Sequence, residues 1–267
     1  MKIVCLKGGL GNQLFEYCRY CKLKETEKSK VYLFYDFRKL KQHHNLMISQ
    51  CFDISMPPKL LWVDFMTLAI KLLKRVNLWS SLYDDTSNHC VLIDSYSQDK
   101  RYINKSHQLL RFKDLQLAER SRQNLSLIKT ARYPVAIHIR RGDYLQADNL
   151  SNIGICDTAY YQKAIDTVLK RYPEAQFFFF SDDMEWVRDN IAVKNAIYIE
   201  KEKSEHDYID LYLMTQCKAH IIANSTFSFW GSMLADNAHH LCIYPKQWFA
   251  NPEWTVPDIF PSHWIAL

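Results

Sequence analysis

Pro134-Val135-Ala136-Ile137-His138-Ile139-Arg140-Arg141-Gly142-Asp143-Tyr144 is the stretch from which the rest of the chain is read. Residues 135–139 form a short apolar run rich in β-branched side chains, which reads as a buried strand. Two arginines then arrive together, followed by a glycine. Open α/β sheets bind ligands beyond the carboxyl ends of their strands, so a guanidinium pair released there is well placed to meet one. Arginine is always charged and forks onto phosphate oxygens in bidentate fashion. The stretch therefore points to an anionic ligand, a phosphate or pyrophosphate. Read alone, an Arg-Arg pair is more often plain surface charge. Arg141-Gly142-Asp143 also spells a tripeptide that some adhesion proteins display on loops. Two later strand ends with matching chemistry favour the ligand.

Beyond residue 134 the chain alternates between apolar strands and helices. Strands are predicted at 135–139, 176–180, 196–199, 219–223 and 241–244, with helices at 158–171, 183–191, 205–217 and 226–237 between them. Such alternation means a parallel sheet covered on both faces. Upstream, residues 1–6, 31–35 and 91–94 read as strands and 12–27 as a helix, while 114–131 reads as a charged helix able to bridge two domains. The expected class is α/β with two Rossmann-like halves facing a cleft. Residues 1–131 form the first, 132–250 the second, and an aromatic tail, 251–267, packs back on the body.

Three further turns carry chemistry. Phe177-Phe178-Phe179-Phe180 runs into Ser181-Asp182-Asp183. A carboxylate at that edge can accept from the N1-H and amine of guanine, an edge that adenine lacks. Equally, Asp183 can favour the dipole of the helix it opens, with Ser181 or Asp182 as its cap. Residues 219–223 run into Asn224-Ser225-Thr226-Phe227-Ser228, a hydroxyl-rich turn that opens a helix, whose amides and Thr226 and Ser228 hydroxyls can cradle phosphate oxygens. One cap suffices for a helix, and this turn offers a surplus, which tilts it toward a ligand. Near the amino terminus, residues 1–6 run into Gly8-Gly9-Leu10-Gly11-Asn12-Gln13. That turn lacks the third glycine of a dinucleotide fingerprint and the Lys-Ser/Thr of a P-loop, so by itself it is a tight turn. Asn12 and Gln13 add groups able to hold a sugar hydroxyl.

The 267 residues allow a sizeable core, and 48% hydrophobic against 24% charged residues excludes a disordered chain. A net charge of +5 suits nucleic acid, an acidic membrane surface or a phosphorylated small molecule, and selects none of them. Of the eight cysteines, Cys5, Cys217 and Cys242 lie in or beside apolar stretches and Cys18 and Cys21 on a predicted helix, with no second pair at zinc spacing, so buried reduced thiols are expected. No signal peptide is visible, and the sequons at Asn104, Asn124, Asn149 and Asn224 read as chance or site chemistry. His43 and His44 are neighbours on a loop, a weak hint of metal. Residues 60–82 are the most apolar long stretch, too interrupted to span a membrane, and read as an amphipathic helix with a basic end at 71–75. Packing against the core is its first expected role and docking on a membrane surface the second.

Residues 7–15, 138–144, 180–183 and 224–232 together resemble the motif set of glycosyltransferase family 11, the α-1,2-fucosyltransferases. The resemblance is weakest over 36–130 and the last 30 residues. It implies a GT-B fold, a GDP-β-L-fucose donor and inverting transfer to the 2-hydroxyl of a galactoside, with no cofactor and no obligatory metal. The chain has no Asp-x-Asp pair, so arginines would neutralise the leaving diphosphate. Carried onto this chain, Arg140 holds the β-phosphate and Arg141 assists or stabilises the loop. His138 lies under the ligand or packs behind it. Asp182 reads guanine, with Asp183 the fallback and Ser181 beside them, and Asn224, Ser225, Thr226, Phe227 and Ser228 line the diphosphate. Gly9, Gly11 and Asn12 face fucose and acceptor. Asp143 is the first candidate for a general base, against the alternative of an ion-paired structural carboxylate.

Two other readings stay open: an α-1,6 or protein-O fucosyltransferase, and a catalytically silent GDP-sugar-binding or adhesive protein. The partners expected are GDP-fucose and a galactose-containing oligosaccharide or glycolipid, such as an O-antigen repeat, and not nucleic acid. The expected location is the cytoplasm, with peripheral contact to the inner membrane through the basic helix end as an option.

Overall fold

The computed structural model describes residues 1–42, 45–87, 89–103, 106–237 and 239–267. His43, His44 and the sequon Asn104 lie outside the described residues. The chain divides into two compact units, Met1–Lys113 and Asp114–Leu267.

In the first unit, β1 (Lys2–Leu6) lies between β2 (Val31–Tyr35) and β3 (Leu92–Ile93), all parallel, with Ile3 in register with both Tyr32 and Leu92. The helices are α1 (Leu10–Thr26), α2 (Phe37–Lys41), α3 (Ile48–Cys51), α4 (Leu61–Arg75) and α5 (Lys100–Ile103). Gly8 takes a φ of +73°, the left-handed turn that lets β1 reverse into α1. α4 lays Val63 and Ile70 on Ile3, Cys5, Phe34 and Leu92 of the sheet. The apolar stretch at 60–82 is thus not one helix. Asn77 and Trp79 adopt positive φ after Arg75, and a short 3-10 turn, Ser80–Leu82, follows.

The second unit is a six-stranded parallel sheet in the order β6-β5-β4-β7-β8-β9. Its strands are β4 (Tyr133–Ile139), β5 (Ala175–Ser181), β6 (Ala196–Tyr198), β7 (Ala219–Ile221), β8 (Leu241–Tyr244) and β9 (Ile265–Ala266). Its helices are α6 (Glu119–Thr130), α7 (Ala147–Asn152), α8 (Thr158–Arg171), α9 (Met184–Asn190), α10 (Tyr208–Thr215) and α11 (Thr226–Met233). Phe177 and Phe179 join Val135, Ile137, Ala164, Val168 and Val187 in one core cluster, while Phe178 and Phe180 are equally buried. Burying each such ring contributes roughly 1.5–3 kcal/mol.

Strand order reverses at β4: the chain winds outward through β5 and β6 on one side and β7, β8 and β9 on the other. This is the topological switch point where such sheets bind ligands.

Several elements differ from the sequence reading. The segment after β4, read as a long loop, holds a 3-10 turn, Gly142–Leu145, and α7. The tail read as a packing appendage supplies β9 to the sheet. The helix read as a bridge between domains belongs to the second unit. The Ala118 amide and Ser121 hydroxyl both donate to the Glu205 carboxylate, and Asn124 donates to the Glu200 carbonyl. All eight cysteines are free thiols, and burial pushes Cys51 up to about 12. Among the described residues no helix is long and apolar enough to cross a membrane.

Candidate active site

β4, β5 and β7 deliver their carboxyl ends to one edge of the second sheet. Ile139 is in register with Ser181, so Arg140 and Asp182 leave the sheet side by side. Arg140 is held by two carboxylates, Nη2 at 2.6 Å from Asp143 Oδ1 and Nη1 at 2.9 Å from Asp182 Oδ2. The approach to Asp143 is off the hydrogen-bonding direction, so Asp143 acts there as a counter-ion. Its guanidinium also lies 5.5 Å from the Tyr144 ring. Arg141 donates its backbone amide to Asp182 Oδ1 (2.9 Å) and Nε to Asp183 Oδ2 (3.0 Å), and stacks 3.8 Å from the Trp186 ring. Gly142 is required by this packing: a Cβ there would sit 2.6 Å from Asp182 Oδ2.

The two acidic residues after β5 thus do different work. Asp183 is the cap of α9, accepting from the Trp186 amide, while the Ser181 hydroxyl accepts from the Asp183 amide. Asp182, expected to face guanine, clamps both arginines.

His138 lies one residue before the end of β4, buried, with its ring 5.6 Å from Phe227. Burial pushes its imidazole down to about 4, so it is neutral near pH 7, and its Nδ1 is buried without a hydrogen-bond partner. The Tyr144 phenol, pushed up to about 12 by burial, donates to the Asn224 carbonyl.

At the end of β7 the expected residues separate. Asn224 donates its carboxamide to the carbonyls of Ile153, Gly154 and Trp248 and accepts from the Cys156 thiol. It pins loops and has no donor left for a ligand, and its burial also rules it out as a glycan acceptor. Ser228 is fully buried and donates to the Ala223 and Ser225 carbonyls. Ser225 stands at the cap position of α11 but makes no side-chain cap bond. The start of α11 therefore lacks the side-chain cap that α9 has, and Thr226 and Phe227 are only half-buried there. Uncapped first-turn amides form a ready anion site.

The first unit has its own carboxyl edge. Gly9 opens α1, and a Cβ at that position would meet nothing within 4 Å, so no internal packing requires a glycine there. Gly11 is buried in α1, and Asn12 accepts from Gln98 Nε2 at 3.2 Å. Gln13 is structural: its amide donates to the Gly8 and Asn45 carbonyls and its oxygen accepts from the Met47 and Ile48 amides.

Sequence reasoning missed a charged cluster here. Lys7, Asp36 and Asp94 follow the ends of β1, β2 and β3. Lys7 pairs with Asp94 at 2.8 Å, and Lys71 with Asp36 at 2.9 Å. Beneath them the fully buried Glu16 accepts from the Lys7 amide, and burial raises its carboxyl well above the usual range. The signal was a charge directly after each apolar strand: Lys7 was read only as the first residue of the 7–15 stretch, and Asp36 and Asp94 were given no role. Among the described residues no group of three or more His, Cys, Asp or Glu side chains is placed to hold a metal ion.

The model of glycosyl transferase family 11 matches residues 1–267. The chain belongs to that family. Along 98% of its length this family 11 chain is 28% identical to an α-1,2-colitosyltransferase of Escherichia coli, covering 97% of that protein. Over 45% of its length it is 36% identical to the Bos taurus galactoside α-(1,2)-fucosyltransferase 1, covering 35% of that protein. Among solved structures it resembles the fucosyltransferase NodZ from Bradyrhizobium, with a TM-score of 0.50, 12% identity, and coverage of 87% of this chain and 92% of that one. The fold class of this family 11 glycosyltransferase is α/β of the GT-B type.

Proposed function

We propose that the protein transfers L-fucose from GDP-β-L-fucose to the 2-hydroxyl of a galactoside, with inversion and without a metal. One observation carries this reading. A forked cation, Arg140, stands at the switch point of a parallel sheet that also ends in a helix without a side-chain cap, α11. Arg140 supplies fixed positive charge and α11 supplies aligned amides, the pair of groups a leaving diphosphate needs. Fucose as the sugar is supported by the name of the bovine relative.

In this mechanism the diphosphate takes the guanidinium edges of Arg140 that Asp143 and Asp182 contact. The C1–O bond to the diphosphate breaks through an oxocarbenium-like transition state. Arg140 and the amides of Thr226 and Phe227 stabilise the charge that develops on the leaving group. The acceptor hydroxyl attacks the opposite face of the sugar, and its proton passes to solvent water. Asp182 is the residue assigned to the guanine edge, because Asp183 is committed as a cap.

The E. coli relative, named for colitose transfer, favours a second donor sugar, colitose, on the same nucleotide carrier as proposed above. Colitose lacks the 3-hydroxyl of fucose, so the two donors differ by one hydrogen-bonding group.

The test is turnover in EDTA with GDP-fucose or GDP-colitose and a panel of β-galactosides, following GDP release, product mass and linkage. A gain of one deoxyhexose in α-1,2 linkage supports the proposal. Consumption of GDP-colitose alone assigns the second donor. Turnover restored only by a divalent metal, or another linkage, contradicts the proposal.

A further inference from the structure

α4 packs on the first sheet with a narrow stripe and leaves a broader apolar face uncovered. The buried residues on it are Val63, Thr67 and Ile70. Leu61, Phe65, Leu68 and Leu72 recur at helical spacing on the opposite side, flanked by Trp62 and Met66, and all six are exposed. Phe65 is 73% exposed and Leu61 71%. Just past the helix, Trp79 takes a left-handed φ of 52°, rare for a bulky side chain, and is 69% exposed. Of the 18 large hydrophobic side chains exposed among the described residues, nine fall between residues 61 and 79. Single exposed leucines are ordinary, but a contiguous stripe marks an interaction surface.

Charge indicates what covers it. Residues 1–113 carry 19 Lys and Arg against 10 Asp and Glu, a net +9, whereas residues 114–267 carry 15 against 19, a net −4. The basic excess of the chain therefore belongs wholly to the unit that carries the stripe. Lys74 and Arg75 are exposed at the carboxyl end of α4, and Lys59 lies before its start. A second copy of this chain, meeting the patch isologously, would bring the same positive field onto itself. An anionic surface would not. An apolar helical face with tryptophans and basic residues at its margin is the form of a helix that lies in a membrane interface.

We propose that α4 docks the protein on bilayers that contain anionic phospholipids. Its apolar stripe enters the headgroup boundary, and Lys74, Arg75 and the basic first unit meet the lipid charge. The donor site plays no part in this.

The test is sedimentation of the full chain with vesicles of phosphatidylcholine, with and without phosphatidylglycerol, over a range of salt. Binding is expected to require phosphatidylglycerol and to weaken with salt. Phe65→Asp with Leu72→Asp should lower the apparent affinity by at least about tenfold. Both positions are exposed, so circular dichroism and Tm should stay as in the wild type. Lys74→Glu with Arg75→Glu should weaken binding and flatten its salt dependence. Absence of binding to anionic vesicles at low salt overturns the proposal, as does equal binding by the Phe65 and Leu72 variant. A concentration-dependent dimer dispersed by that variant would assign the face to a second copy and also overturn it.

Discussion

Asp143 lies in a run that read either as a general base or as a structural counter-ion. In the structure it sits 2.6 Å from the Arg140 guanidinium, as that group's counter-ion. It is therefore expected to position Arg140. Asp143→Asn should lower kcat by less than about tenfold and leave the pH profile unchanged, whereas loss of a general base costs on the order of 10²–10⁴ in rate. A fall of that larger size, with loss of the acidic limb of the profile, would return Asp143 to the base role. Single residues were also where sequence misled most. Asn224 and Ser228 read as phosphate ligands because polar groups crowd one turn. Asn224 is instead claimed by carbonyls of Ile153, Gly154 and Trp248, whose approach depends on the tertiary fold. The place of Arg140 at the end of an apolar strand needed no such information, because it is a local pattern.

Among the elements, α1 carries a buried carboxyl whose protonation is set by its surroundings. Glu16 is enclosed beneath the β1 turn, with one oxygen on the Lys7 amide and the other unpartnered. Burial raises its folded-state pKa, so the native carboxyl keeps its proton at pH values where the unfolded chain has released it. Stability from this group is therefore present below about 4.5 and is lost as pH rises toward the folded value, with a slope of up to about 1.4 kcal/mol per pH unit. Glu16→Gln cannot ionise, so its advantage over the wild type in urea midpoint should widen between pH 5 and pH 8. A constant deficit at both pH values would mean that Glu16 is ionised and paired with Lys7. Element type was largely legible where periodicity was strong: residues 241–244 are β8, and α11 begins at Thr226 as read. α7 and β9 were missed because both are short, and β9 exists only by pairing with β8. The 60–82 stretch was read as a single helix because the left-handed residues that end it, Asn77 and Trp79, are not glycines.

At the scale of the whole molecule, α/β alternation in the sequence foretold a parallel sheet, but not the strand order. The order places β4 between β5 and β7 and so brings Arg140, Asp182 and the start of α11 to one edge. Acceptor choice was not legible, because the donor motifs say nothing about it. The central claim is that Arg140 is the diphosphate clamp. The most direct test is calorimetric titration of GDP into the wild type, Arg140→Ala and Arg140→Lys, with circular dichroism to confirm the fold. Charge-assisted hydrogen bonds of about 1.5–3 kcal/mol are at stake. The account expects GDP to bind the wild type, to bind Arg140→Ala at least about tenfold more weakly, and to be recovered only in part by lysine, which lacks the fork. Folded Arg140→Ala binding GDP as tightly as the wild type would contradict it.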